Sequence, residues 1–156
     1  KKGIKKATNN TIITIDGDMQ NNPSDIPKML SIFYKDNYKL VGGIRKNRKD
    51  NFFKIFSSYA ANFIRRLILK DDCNDTGCSL KIFDREIFLI FPFFDGMHRF
   101  LPALFKGFGY KTVFIEVDHR KRHKGISKYG TISRLLWGIR DIYKVLKILK
   151  NKDKYD

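Results

Sequence analysis

Short β-branched runs alternate with longer runs of helical period along this chain. That alternation restricts it to a sheet with helices packed on its faces. Thr11-Ile12-Ile13-Thr14-Ile15 has the pattern of a buried strand. It stops at Asp16-Gly17-Asp18, a turn-forming cluster. Asn22-Pro23-Ser24-Asp25 predicts a helix start, with Asn22 or Ser24 as the cap. That helix reaches about Lys35 and buries Ile26, Met29, Leu30 and Phe33 at helical spacing. Further strands are expected over 38–44, 78–83 and 111–117. Further helices are expected over 52–69, from Asp84 to near Pro92, over 99–108 with Gly107 or Gly109 closing it, and over 131–150. Polar loops fill 71–77 and 119–130. The expected class is α/β with a largely parallel sheet flanked by helices. Such sheets bind ligands beyond the carboxyl ends of their strands. Topology alone therefore puts Asp16 and Asp18 at a site.

The chain has 156 residues, enough for one domain with a real core. Its formal charge is +16, which calls for an anionic partner: nucleic acid, a lipid surface or a phosphorylated substrate. Aromatic residues make up 14%, too many for a disordered basic tail. Two cysteines, Cys73 and Cys78, are too few for a disulfide scaffold. Their C-x4-C spacing has no second pair to complete a zinc site, so they read as reduced thiols. The longest apolar runs, such as 87–94, fall well short of a membrane span. The first seven residues carry charge with no apolar stretch after it, so no signal peptide is expected.

Six groups of residues carry potential chemistry. Asp16, Asp18 and Gln20 supply hard oxygens of the kind Mg²⁺ or Mn²⁺ takes together with substrate phosphates. A D-x-D pair is also a common solvated turn. Arg45-Lys46-Asn47-Arg48-Lys49 is followed by Lys54 and Ser58, which share one helix face and suit a phosphate oxygen. The same run also reads as a solvated charge cluster. The loop from His119 to Gly130 concentrates cations around glycines that permit a tight wrap. Asp75, just before a predicted strand, suits an orienting group or a base. His98-Arg99 fits a substrate contact or a helix cap. The last helix has an apolar face of Ile132, Leu135, Leu136, Ile139, Ile142, Tyr143, Leu146 and Leu149 with a basic remainder. It fits a membrane interface or an ordinary core helix equally.

In this order the pieces resemble a family. Asp16-Gly17-Asp18-Met19-Gln20 with Pro23 comes first, then Val41-Gly42-Gly43-Ile44-Arg45. Lys54 with Ser58 follows, then Asp75-Thr76-Gly77-Cys78, then Arg122, Gly125 and Ser127-Lys128-Tyr129. Together they resemble family 2 glycosyltransferases of the GT-A fold, which implies a Rossmann-like, mixed, mostly parallel sheet flanked by helices. The subgroup is the polyprenyl-phosphate sugar transferases, typified by dolichol-phosphate mannosyltransferase. His98-Arg99-Phe100-Leu101-Pro102-Ala103-Leu104 resembles that group's bacterial branch.

The resemblance implies sugar transfer from a nucleoside-diphosphate donor, a GDP- or UDP-sugar, to the phosphate of a polyprenol. It implies a metal-dependent, inverting reaction, with Mg²⁺ or Mn²⁺ at Asp16, Asp18 and Gln20. Arg45, Lys54 and Ser58 match positions that hold the acceptor phosphate. Arg122 and Lys128 match positions that engage the donor diphosphate. Asp18 and Asp75 match catalytic carboxylates, Asp75 a loop residue near the acceptor to which a role as base is ascribed. The implied place is the cytoplasmic face of a membrane, with the membrane surface as a partner and no nucleic acid. By this reading 1–130 is part of a GT-A catalytic domain, lacking the N-terminal portion that precedes the D-x-D strand in the family. Residues 131–150 are a basic amphipathic helix and 151–156 a polar tail. Lys54 stands where many relatives carry Arg, which replaces a planar fork with a point charge. Two alternatives stay open. One is a basic nucleic-acid-binding module, although no helix-turn-helix, zinc-finger or RNP-type signature is present. The other is a non-catalytic remnant of the enzyme.

Overall fold

The computed structural model describes residues 1–46, 52–120 and 131–155; side chains of 52–57 and 131–137 are outside that description. Helix α1 covers Lys2–Lys6 and strand β1 covers Thr11–Thr14. A 3-10 turn at Pro23–Asp25 leads into α2, Ile26–Lys35. Then come β2 (Leu40–Arg45), α3 (Phe52–Leu69), β3 (Lys81–Asp84) and α4 (Arg85–Ile90). A second 3-10 turn, Met97–Arg99, precedes α5 (Leu101–Gly107). Strand β4 is Thr112–Val117 and helix α6 is Thr131–Lys150.

Local sequence explains these boundaries. The Asn22 side chain accepts from the Ser24 amide at 3.2 Å, so Asn22 is the cap. Asp84 caps α4 by accepting from the Ile87 amide at 3.2 Å. The chain leaves α5 through Gly109, whose φ of 87° is open to glycine.

The sheet order is β1-β3-β2-β4. β2 and β4 pair in parallel, Leu40 to Thr112 through Arg45 to Val117. β3 is antiparallel to both of its neighbours. The α/β class and the mixed sheet are as expected; the mostly parallel pairing is not. β1, β2 and β4 do point one way, but the reversed β3 lies between β1 and β2 and makes both of its pairings antiparallel. The cause is α3. A crossover helix must lie along the sheet to return the chain to the starting edge. α3 packs chiefly against α6 instead. The loop after it comes back to Arg45, the last residue of β2, so the chain re-enters the sheet at the edge it left. The expected strand over 78–83 accordingly begins only at Lys81.

Adjacent strand residues face opposite sides, and each side has a core. Leu40 and Phe83 join Phe88, Phe91, Leu104, Phe105 and Val145 on one side. Val41 and Ile82 join Met29, Phe33, Leu80 and Val117 on the other. Each fully buried side chain of this size contributes about 1.5–3 kcal/mol. Ile26 and Leu30 of α2 are partly buried beside Met29 and Phe33, as the spacing predicts. Among the described residues, no helix is long and apolar enough to cross a membrane.

Candidate active site

The carboxyl ends of β1, β2 and β4 and the start of β3 share one edge of the sheet. Asp16 to Gln20, Arg45, Asp75 to Ser79 and Asp118 to Arg120 gather there. Ser79 organises the acidic turn. Its hydroxyl accepts from the Asp16 amide at 3.1 Å and pairs with the Asn21 side chain at 2.8 Å, bracketing the turn at both ends. Met19 adopts a left-handed φ of 62° at the apex. The Asp18 carboxylate accepts from the Gln20 amide at 3.2 Å, a local Asx-type bond. Beyond the turn, the Arg120 amide donates to the Gln20 carbonyl at 2.8 Å. Gln20 Nε2 donates to the Arg120 carbonyl at 3.3 Å. The acidic turn is thus stitched to the end of β4.

Arg45 and Asp75 meet. Arg45 Nε lies 2.7 Å from one Asp75 oxygen and its terminal nitrogen 2.8 Å from the other. The Arg45 amide donates to the same carboxylate at 3.2 Å. This two-pronged pair is largely buried. Gly77 makes room for it, since a Cβ there would stand 2.8 Å from the guanidinium. Gly43 lets the 78–80 segment close on β2, because its Cβ would fall 2.9 Å from Cys78 Sγ. Sequence reasoning gave Arg45 and Asp75 separate tasks; the fold couples them.

A cavity of about 700 Å³ opens beside this edge, lined among others by Asp16, Thr76, Ser79, Lys81, His98 and Arg99. Arg99 donates to Asp141 of α6 at 3.0 Å. His98 has a lowered pKa, from partial desolvation first and then from the charges of Arg99 and Lys81. Cys73 and Cys78 are buried free thiols. Burial pushes the Cys73 pKa up to about 11.

Asp16, Asp18, Arg45 and Asp75 therefore share one edge of the sheet. Ser58 lies on α3 one turn after Lys54, whose side chain is outside the description. Arg122 and Lys128 lie outside the described residues. Among the described residues, no three His, Cys, Asp or Glu side chains gather to hold a metal unaided. The donor set still fits a hard divalent ion that takes one or two carboxylates and fills its shell with substrate phosphates and water. Sequence reasoning missed Ser79 and Lys81. Lys81 had a signal, a charge inside the apolar run Leu80-Lys81-Ile82-Phe83.

The two outer helices carry a second feature. Tyr59, Phe63, Ile64, Leu67 and Ile68 of α3 are exposed, Tyr59 by 70%. Ile139, Tyr143 and Leu146 of α6 are exposed too. The single apolar face expected for α6 is split. Of the expected face, Ile142 and Leu149 pack against the core while 139, 143 and 146 point outward. Among the described residues the buried apolar positions of α6 are Val145 and Ile148, which the expected face did not include.

The model of Glycosyl transferase family 2 matches residues 1–90, more than half of the chain. The chain belongs to that family. It is 39% identical over 153 residues to dodecaprenyl-phosphate galacturonate synthase of Rhizobium johnstonii, covering 96% of this chain and 45% of that protein. It is 33% identical over 128 residues to undecaprenyl-phosphate 4-deoxy-4-formamido-L-arabinose transferase of Pectobacterium carotovorum, covering 82% of this chain and 39% of that one. The chain thus spans less than half the length of these relatives. Glucosyl-3-phosphoglycerate synthase from Mycobacterium tuberculosis superposes with a TM-score of 0.61 at 14% identity, over 94% of this chain and 52% of that one. The same enzyme with Mn²⁺, UDP-glucose and glycerol 3-phosphate gives 0.58 at 15% identity. The family 2 chain therefore has the GT-A fold.

Proposed function

We propose that this chain forms part of the catalytic unit of a polyprenyl-phosphate glycosyltransferase. The observation that carries the reading is the sheet edge where the Asp16–Gln20 turn, the Arg45–Asp75 pair and the cavity meet. Relatives named for transfer involving dodecaprenyl and undecaprenyl phosphate support it.

The chemistry follows from charge. An acceptor phosphate is already an anion, so no strong base is required. Its oxygen attacks C1 of the sugar, the bond from C1 to the diphosphate oxygen breaks, and the nucleoside diphosphate leaves with the electron pair. One in-line displacement inverts the anomeric centre. Asp16, Asp18 and Gln20 would hold Mg²⁺ or Mn²⁺, which neutralises charge on the leaving diphosphate when bound. The manganese complex of the structural neighbour supports this assignment. Arg122 and Lys128, soon after the stitched residue Arg120, bind the donor diphosphate. Arg45, Lys54 and Ser58 bind the acceptor phosphate.

Asp75 orients rather than deprotonates. Both of its oxygens are taken by Arg45, so the guanidinium is aimed by a fixed partner. The exposed apolar stripes of α3 and α6, with the exposed cations Arg140 and Lys147 on α6 and Lys70 just after α3, rest on the anionic bilayer that carries the acceptor. On this reading the reaction takes place at the membrane surface, on the cytoplasmic face that the resemblance implies.

The test is transfer from nucleotide sugars to polyprenyl phosphate by the full-length protein, wild type against Asp18→Ala. The expected loss is about 100-fold or more, the scale of removing an electrostatic stabiliser. Unchanged turnover in Asp18→Ala rejects the metal role. A wild type that transfers no sugar to a polyprenyl phosphate rejects the function.

A further inference from the structure

Lys81 stands where a lysine is costly. It opens β3 between the core residues Leu80 and Ile82 and is only 4% exposed. Its ammonium donates to the carbonyls of Cys78 and Thr76, the latter at 3.4 Å. Among the described residues it has no carboxylate in ion-pair contact. Asp75 and Asp16 act on it only from a distance, and Asp75 is already committed to Arg45. Burial accordingly pulls its pKa below the usual lysine value. Buried charges in proteins are ordinarily paired. A cation without a carboxylate, on the wall of a cavity shared with Asp16, has the form of a site whose counter-ion arrives with the ligand.

An ammonium has three N–H groups, and carbonyls use two of them. The neighbouring cation Arg99 is committed to Asp141, and His98 is held toward its neutral form. Lys81 is placed by a central strand of the sheet, which fixes it better than a loop would. A compact ammonium suits a phosphate oxygen as a point contact.

We propose that Lys81 binds a phosphate oxygen of one reactant, lipid phosphate or nucleotide diphosphate, and that this oxygen supplies the missing counter-charge. The assignment rests on reading the cleft as a glycosyl-transfer site, and it adds a contact that neither the Arg45 group nor the Arg122 group contains. Its carbonyl bonds also hold the 76–78 turn, so a purely structural role is the competing account.

The experiment uses the full-length protein with Lys81→Met, Lys81→Gln and Lys81→Arg. KM for polyprenyl phosphate and for the nucleotide sugar are measured separately, with the unfolding temperature alongside. The expected result is a rise of about tenfold or more in one KM for the Met and Gln variants, with folding kept and most of the loss restored by Arg. A rise in the acceptor KM assigns the oxygen to the lipid phosphate, and one confined to the donor KM assigns it to the diphosphate. Folded Gln variant with both KM values unchanged overturns the assignment, even if the Met variant fails to fold. Titration with inorganic pyrophosphate separates this from failure of the function itself. Equal affinity in wild type and Lys81→Gln, joined to an unchanged acceptor KM, overturns the role of Lys81. A wild type that transfers no sugar defeats the functional reading, and a pyrophosphate affinity lost in Lys81→Gln still supports the phosphate contact.

Discussion

The sheet-edge cleft and the α3–α6 face break the same rule in opposite directions. In the cleft, charges are buried: Lys81, Asp75 and most of Arg45. On the helix face, large apolar groups are in water: Tyr59 by 70%, Leu67 by 64% and Tyr143 by 70%. Burying charge is unfavourable unless it is paired, and exposing a contiguous apolar surface is unusual in a monomer. Asp75 and Arg45 answer each other, which leaves Lys81 as the buried charge of the cleft with carbonyls but no carboxylate in contact. Under the proposed function it and the helix face each meet a partner of the complementary kind. The cleft asks for anions and the face asks for hydrocarbon. A polyprenyl phosphate has both, an anionic head on an apolar tail.

The largest effect should come from splitting the buried pair. Asp75→Ala leaves the Arg45 guanidinium buried without its two acceptors. Breaking a buried pair from one side costs about 3–5 kcal/mol. Denaturant unfolding should read that loss, and Arg45→Met combined with Asp75→Leu should recover much of it. If Asp75→Ala unfolds at the wild-type midpoint, the cleft does not store its charge in this pair, and the contrast with the helix face fails.

Next in size is the acceptor side of the cleft. Lys54→Ala and Ser58→Ala should each raise the acceptor KM by about tenfold, the scale of a charge-assisted bond, and leave the donor KM nearly unchanged. Steady-state kinetics with each substrate varied in turn checks this. The reverse pattern would detach α3 from the acceptor and leave its exposed stripe without a reason to lie near the cleft.

How far these two regions can be read from sequence differs for a physical reason. The bounds 52–69 and 131–150 match α3 and α6, because helical period is a local signal. Asp16, Asp18, Arg45 and Asp75 are singled out by local motifs in order. Their pairing is not, because Arg45 and Asp75 are thirty positions apart and meet only through the path of the chain after α3. The same path reversed β3, which no periodicity encodes. The outward stripe on α3 carries the residue types of a core helix, and only packing separates core from face. On α6 the inward positions Val145 and Ile148 lie beside the outward Leu146, so one broad apolar arc on a helical wheel became two. Arg122 and Lys128 fall outside the described residues, and their roles rest on the resemblance.

A smaller effect probes the helix face directly. Phe63→Glu with Leu67→Glu replaces two exposed side chains on α3, so folding should change by no more than about 0.5 kcal/mol for each. Flotation with vesicles containing anionic lipid should show binding weakened by about tenfold. Unchanged binding means that the stripe meets something other than a bilayer. The cleft chemistry would then stand alone.

The smallest effect belongs to His98 at the cavity wall, and its sign can be worked out. Desolvation, with Arg99 and Lys81 adding to it, lowers its pKa in the folded state below the ordinary 6.5; Asp16 and Asp141 oppose the shift without cancelling it. Above about pH 6.5 both folded and unfolded forms hold the ring neutral, and the pH dependence from this group is flat. Below that value the unfolded chain takes up the proton first, so stability falls as pH drops toward the lowered folded value. His98→Gln cannot take up that proton. The difference in unfolding free energy between wild type and His98→Gln should therefore be constant from pH 8 to about 6.5 and then move against the wild type on acidification. A difference moving the other way would mean that the folded state holds the imidazolium more tightly. The cavity wall would then favour a cation at that position, and Lys81 would not be the cleft's principal unpaired charge.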